Sequence, residues 1–167
     1  MSNLDEQLMR SCRQGDAEAF DRLYMRYRGP LYRYLLRQCA DDDQAQSLYR
    51  EIWLRVARSR ASWKPSQAFR PWLYRLARQR LAGRPGALAP SPAPPGASLP
   101  QHDCVARLQL LLGQLGDEHR ELFLLREECG LTVAEIAEVT GIERASVKNL
   151  LQQTTEGLRH GLQGCDG

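Results

Sequence analysis

Lysine is almost missing from this chain. Of its 23 basic residues only Lys64 and Lys148 are lysines. The bias reflects genome composition first, yet it also leaves the surface with the side chain that grips phosphate and carboxylate as a planar fork. Long apolar runs are missing too. No stretch approaches the roughly 20 residues that span a bilayer. The first twenty residues, MSNLDEQLMRSCRQGDAEAF, lack the apolar run of a secretory leader. A cytoplasmic location is expected. His102, His119 and His160 do not cluster with Cys12, Cys39, Cys104, Cys129 or Cys165, and no two cysteines form a C-x-x-C pair. Reduced thiols, no metal and no cofactor are expected. Alternating strand patterns, internal repeats, Gly-rich phosphate loops and Ser/His/Asp arrangements are absent as well, which argues against an enzyme.

What remains is helical. At 167 residues and 43% apolar content the chain holds one ordinary domain or two small ones. Residues 83–102, GRPGALAPSPAPPGASLPQH, contain six Pro and three Gly, the composition of a semi-rigid, extended linker. At about 3.1 Å per residue it reaches on the order of 60 Å, more than one turn of B-DNA at about 34–36 Å. Charge divides at the same place. Residues 1–82 carry 16 basic and 9 acidic side chains; residues 103–167 carry 6 and 11. The overall charge of +3 therefore hides a positive half and a negative half. The organisation expected is all-α: a helical domain over 1–82, a Pro-rich linker over 83–102, and a second helical domain over 103–167.

In the first half, Ala17, Phe20, Leu23, Tyr24, Tyr27, Leu31 and Leu35 recur at helical steps, with a bend or break expected at Gly29-Pro30. Asp41-Asp42-Asp43 should start a helix whose inner face is Ala45, Leu48, Ile52 and Val56. A loop, SWKPSQ, leads to FRPWLYRLARQRL, residues 69–81, where arginines interleave with aromatics. Cations track phosphates and aromatic faces stack on unpaired bases, although Trp72 and Leu73 also suit a core. In the second half, Val105, Leu108, Leu111, Leu112 and Leu115 make one stripe, Asp117 is expected to cap the next helix, and Gly130 to end it.

The most specific local signal is LTVAEIAEVTGIERASVKNLL, residues 131–151. Thr132 and Glu135 form a capping box, Gly141 makes a turn, and Ile142, Val147, Leu150 and Leu151 anchor a second helix. This is the helix-turn-helix plan, which lays its second helix in a major groove. Arg144, Ala145, Ser146, Lys148, Asn149 and Gln152 would face the bases.

The order of these parts resembles the extracytoplasmic-function (ECF) group of the sigma-70 family. The resemblance rests on QGDAEAFDRLYMRYRGPLYRYLLR, DQAQSLYREIWLRVAR, FRPWLYRLARQRL, and LGQLGDEHRELFLLREECGLTVAEIAEVTGIERASVKNLL. It implies a promoter-recognition subunit with RNA polymerase core, promoter DNA and an anti-sigma factor, often membrane-bound, as partners. Leu48, Glu51, Ile52, Trp53 and Arg55 would bind core. Trp63, Lys64, Phe69, Arg70, Trp72, Tyr74, Arg75, Arg78 and Gln79 would capture and open the minus-ten element. The recognition-helix residues named above would read the minus-35 element. Three departures stand out. Ser47 and Arg50 replace an acid and a glutamine, Gln79 replaces an asparagine, and the last helix continues Leu150-Leu151-Gln152-Gln153-Thr154 where the family places further basic residues. Fewer phosphate contacts imply weaker minus-35 binding. A degenerate relative acting through protein contacts, or a free-standing helix-turn-helix regulator, are the competing readings.

Overall fold

The computed structural model describes residues 3–39, 41–82 and 104–163. The Pro-rich segment over 83–102 lies outside them. The described residues form eight helices: α1 (Asn3–Arg13), α2 (Ala17–Gln38), α3 (Asp42–Ser59), α4 (Phe69–Ala82), α5 (Cys104–Gln114), α6 (Asp117–Glu127), α7 (Val133–Thr140) and α8 (Arg144–Gly161). Helices α1–α4 make one unit and α5–α8 the other.

Helix α1 has no counterpart among the helices expected from sequence. Leu8, Met9 and Cys12 are buried on its inner face together with Asp5. The Asp5 carboxylate accepts from Arg26 Nε at 2.7 Å and from the Tyr27 hydroxyl. Burial and this carboxylate together push the Tyr27 phenol well above its ordinary range. Glu6, one residue on, reaches across to α4, where its Oε1 accepts the Phe69 N–H at 2.8 Å. The first turn of α4 is thus capped by a remote side chain, which satisfies one of the donors every helix start leaves open.

Asp16 caps α2, accepting from the N–H groups of Glu18 and Ala19. Of the bend or break expected at Gly29-Pro30, the break does not occur: α2 runs from Ala17 to Gln38 with the proline inside. Proline removes one backbone donor and crowds the preceding turn. Here Leu23, Tyr27, Leu31, Tyr34 and Leu35, all buried, tie down both sides of that defect. Asp41 caps α3 as the acidic turn suggested, and Ala45, Leu48, Ile52, Trp53 and Val56 fill its inner face. Phe20 and Tyr24 meet Trp53 edge-on, with ring centres 6.0 and 5.1 Å apart, geometry that favours aromatic pairs.

In the second unit the capping position of α6 is Gly116, so Asp117 is the first helical residue and does not cap. Its carboxylate instead accepts from Arg120 Nη2 at 2.6 Å while still facing the positive end of the helix. The box between Thr132 and Glu135 forms with both of its hydrogen bonds. Gly141 ends α7 at φ 77°, in the left-handed region that glycine enters without strain. Val147, Thr154 and Leu158 seat α8 on the unit.

Most of the buried apolar residues form one continuous cluster running through both units, from Leu8 and Met9 to Val139 and Val147. Helix α4 packs on α7, and α2 on α6.

Candidate nucleic-acid interface

Three surfaces carry the residues singled out by sequence. On α3, Leu48, Ile52 and Trp53 are buried and support the helix from below. Glu51 is half-buried and accepts from Arg80 Nη1 at 3.1 Å, while Arg55 is exposed. The outward stripe of this helix is Ser47, Arg50, Leu54 and Arg58. Leu54 is 57% exposed, and sequence reasoning missed it. Its signal was there to read, because Leu54 falls off the Ala45–Leu48–Ile52–Val56 stripe at helical spacing. Beside this stripe, Tyr24, Arg28, Tyr32, Tyr49 and Arg50 line an open groove between α2 and α3.

The second surface is the loop over 60–68 with α4. Trp63 closes the loop from inside, its backbone N–H donating to Ser59 O at 3.1 Å and its side chain buried. Lys64 is exposed. Phe69 and Tyr74 are fully buried, Phe69 against Tyr27 and Tyr74 against Tyr34. In this conformation Trp63, Phe69 and Tyr74 hold the loop and helix in place and present no ring face to solvent. Trp72 is partly buried and leans on Phe69, and Gln79 is exposed.

The arginines of α4 are neither core nor bare. Arg70 forms a two-pronged pair with Glu135, Nε to Oε2 at 3.0 Å and Nη2 to Oε1 at 3.1 Å. Arg75 Nη2 reaches the Glu138 carboxylate at 3.2 Å and its carbonyl at 3.4 Å. Arg78 Nε donates to Glu121 at 2.9 Å, an oxygen that also accepts from the Tyr34 hydroxyl. Arg33 and Arg37 on α2 face Glu128 at 3.0 and 3.7 Å. Each of these pairs joins the basic first unit to the acidic second one. Below them the contact is apolar and aromatic. Tyr34 and Tyr74 are fully buried, and Cys129 lies against Tyr74. Burial pushes the Cys129 thiol up to about 12, with Tyr74 acting in the opposite direction. Arg120, 2% exposed, spans the same seam by donating to Gln38 on α2 at 3.3 Å.

The third surface is α8. Arg144, Ala145, Ser146, Lys148, Asn149 and Gln152 are all exposed, and Val147 between them is fully buried. The helix therefore offers its polar face outward from a firm seat. Gln152 Nε2 also donates to Glu156 at 3.3 Å. Among the described residues no group of three or more His, Cys, Asp or Glu could hold a metal ion. None of the described helices is long and apolar enough to cross a membrane.

The model for sigma-70 region 2 matches residues 23–82, and that for sigma-70 region 4 matches residues 106–154. The chain is 30% identical to the RNA polymerase sigma factor CarQ of Myxococcus xanthus, over 90% of this chain and 93% of that one. It is also 30% identical to the ECF RNA polymerase sigma factor SigK of a Mycobacterium species, over 92% and 88%. The fold is similar to that of CnrH in its complex with the cytosolic domain of CnrY, with a TM-score of 0.73 and 20% identity over 98% of this chain and 99% of that one. The chain belongs to the sigma-70 family as an ECF RNA polymerase sigma factor, a non-enzymatic subunit that directs transcription initiation.

Proposed function

We propose a division of this role between the two units. Residues 1–82 bind polymerase core and take the minus-ten element, residues 103–167 read the minus-35 element, and residues 83–102 link them. Core docks on α3, with Leu54 as an exposed apolar contact beside Glu51 and Arg55, and with Leu48, Ile52 and Trp53 fixing the helix from beneath. Lys64, Trp72 and Gln79 are the accessible part of the minus-ten surface, and Arg70, Arg75 and Arg78 are its phosphate-binding part once they leave their glutamates. Trp63, Phe69 and Tyr74 position that surface. Arg144, Lys148, Asn149 and Gln152 read base edges, with Ala145 and Ser146 close against the groove.

The observation that carries this reading is the outward polar face of α8, seated on buried Val147 behind a boxed helix and a left-handed glycine turn. A helix so held can enter a major groove without rearrangement. Few cations lie beyond Lys148, so minus-35 affinity is modest and depends on polymerase for the rest. The protein acts in the cytoplasm. Its further partner is an anti-sigma protein that grips both units, a reading supported by the similar fold of CnrH, whose structure contains a domain of CnrY.

Run-off transcription with purified core polymerase on pooled genomic fragments tests the proposal. Transcripts from a restricted promoter set are expected. Failure to initiate from any fragment contradicts it and leaves a protein that works through protein contacts alone.

A further inference from the structure

We propose that α1 is a positioning element for promoter opening: Glu6 fixes the backbone of Phe69, and Asp5 fixes its ring through Tyr27, so that α1 sets where the loop over 60–68 ends and the minus-ten helix begins. This rests on the assignment of α4 to the minus-ten strand.

Helix α4 has no cap of its own. Asp16, Asp41 and Thr132 cap α2, α3 and α7 from the residue just before each helix. The equivalent residue of α4 is Ala68, whose carbonyl accepts the Trp72 N–H at 3.4 Å. Its methyl side chain can accept nothing. Pro71 removes one of the donors that a helix start leaves open. The Phe69 N–H donates to Glu6 Oε1 at 2.8 Å, 63 positions away in the chain. The start of this helix is thus set by α1 and not by the loop that precedes it.

The ring of Phe69 is held from the same side. Asp5, 4% exposed, accepts from the Tyr27 hydroxyl and from Arg26 Nε. Tyr27 meets Phe69 edge-on with ring centres 5.3 Å apart, and Phe69 in turn meets Trp72 at 5.8 Å. The neighbouring carboxylates Asp5 and Glu6 therefore converge on one residue, and that residue backs the accessible Trp72. Lys64 lies exposed on the loop that ends at the same joint. A surface that takes an unpaired strand gains affinity when it is held in place beforehand, because ordering it during binding is costly. Helix α1 supplies that hold without touching DNA itself.

The experiment uses reconstituted holoenzyme and a promoter found by run-off transcription. Its probe is a fork DNA, duplex over the minus-35 element and single-stranded over the nontemplate minus-ten element. Glu6→Ala should weaken fork binding about fivefold, the scale of one lost hydrogen bond. It should leave unchanged the affinity for core and for a duplex carrying only the minus-35 element. Glu6→Gln keeps an acceptor oxygen at the same reach and should bind the fork as wild type does. Ala68→Ser added to Glu6→Ala supplies a local cap, with the Arg70 N–H as its donor. It should raise the melting temperature of the alanine variant and leave fork binding weak, because the tie to α1 is still missing. Trp72→Ala is the control for α4 and should weaken fork binding by itself.

Wild-type fork binding by Glu6→Ala overturns the proposal, and so does a glutamine variant as weak as the alanine one. Full recovery of fork binding with the serine cap also overturns it, leaving Glu6 a stabilising contact only. If Trp72→Ala binds the fork like wild type, or wild-type holoenzyme never initiates, the assignment of α4 fails first and the role of α1 falls with it.

Discussion

Glu135 satisfies two helices at once: its carboxylate receives both prongs of Arg70 from α4 and the N–H of Thr132 at the start of its own α7. One side chain, 16% exposed, therefore sets the cap of the first helix of the helix-turn-helix and anchors it to the basic unit. Replacing it with alanine should cost about 1–2 kcal/mol, from a lost cap and a partly buried pair. Glu138→Ala removes a pair whose carboxylate is half exposed and should change stability by less than about 0.5 kcal/mol. Urea denaturation of the two variants measures the difference.

On α8 binding and folding are carried by different residues. Arg144 and Lys148 are exposed, so their alanine variants should keep wild-type stability to within about 0.5 kcal/mol. Each should lose about 1–3 kcal/mol of promoter affinity where it reads a base. Gel-shift titration of the reconstituted holoenzyme, beside a thermal melt of each free variant, checks both halves.

Leu54 is an apolar side chain set among arginines on an open helix face. Leu54→Asp should leave the melting temperature unchanged and weaken capture of core polymerase by about tenfold, the scale of one apolar contact replaced by a desolvated charge. Competition against a wild-type tracer for core would measure it. Leu48→Ala, by contrast, should destabilise the fold by about 2–5 kcal/mol, because that side chain is fully buried.

Much of this was legible in sequence because the signals are local. The capping box, Gly141 and the stripe through Val147 lie within about twenty residues, and each follows from backbone chemistry alone. The acidic start of α3 was legible for the same reason. Helix α1 was not. Its inner face includes a buried Asp5, whose partners Arg26 and Tyr27 sit on the next helix, so an apolar stripe understates it. A break at Pro30 is not realised, because the local cost of the proline is offset by packing that no window of sequence reveals. The pairing of Arg70, Arg75 and Arg78 with glutamates 43 to 65 positions away is likewise invisible to periodicity. Opposite charge on the two halves was the one trace of it.

The Cys129 thiol, raised to about 12 from an ordinary 9.0 by burial, gives a pH dependence with a definite sign. Folding holds the proton more tightly than the unfolded chain does, so this contribution is fully present below about pH 9 and is lost as pH rises toward 12. Buried Tyr34 and Tyr74, both pushed upward chiefly by burial, act in the same direction. Cys129→Ala should therefore lessen, without removing, the loss of stability between pH 9 and 11 in urea titrations. At neutral pH, iodoacetamide should modify exposed Cys104 well before buried Cys129.

In the proposed division of roles, α4 opens the minus-ten element while α8 holds the minus-35 element. Permanganate mapping of unpaired thymines, on a promoter found by run-off transcription, tests it most directly when paired with nuclease protection of the same complexes. Holoenzyme carrying Arg70→Ala and Arg75→Ala should keep upstream protection and lose thymine reactivity near minus ten. Holoenzyme carrying Lys148→Ala should lose upstream protection first. Undiminished thymine reactivity in the α4 variant, at equal occupancy, would contradict the account.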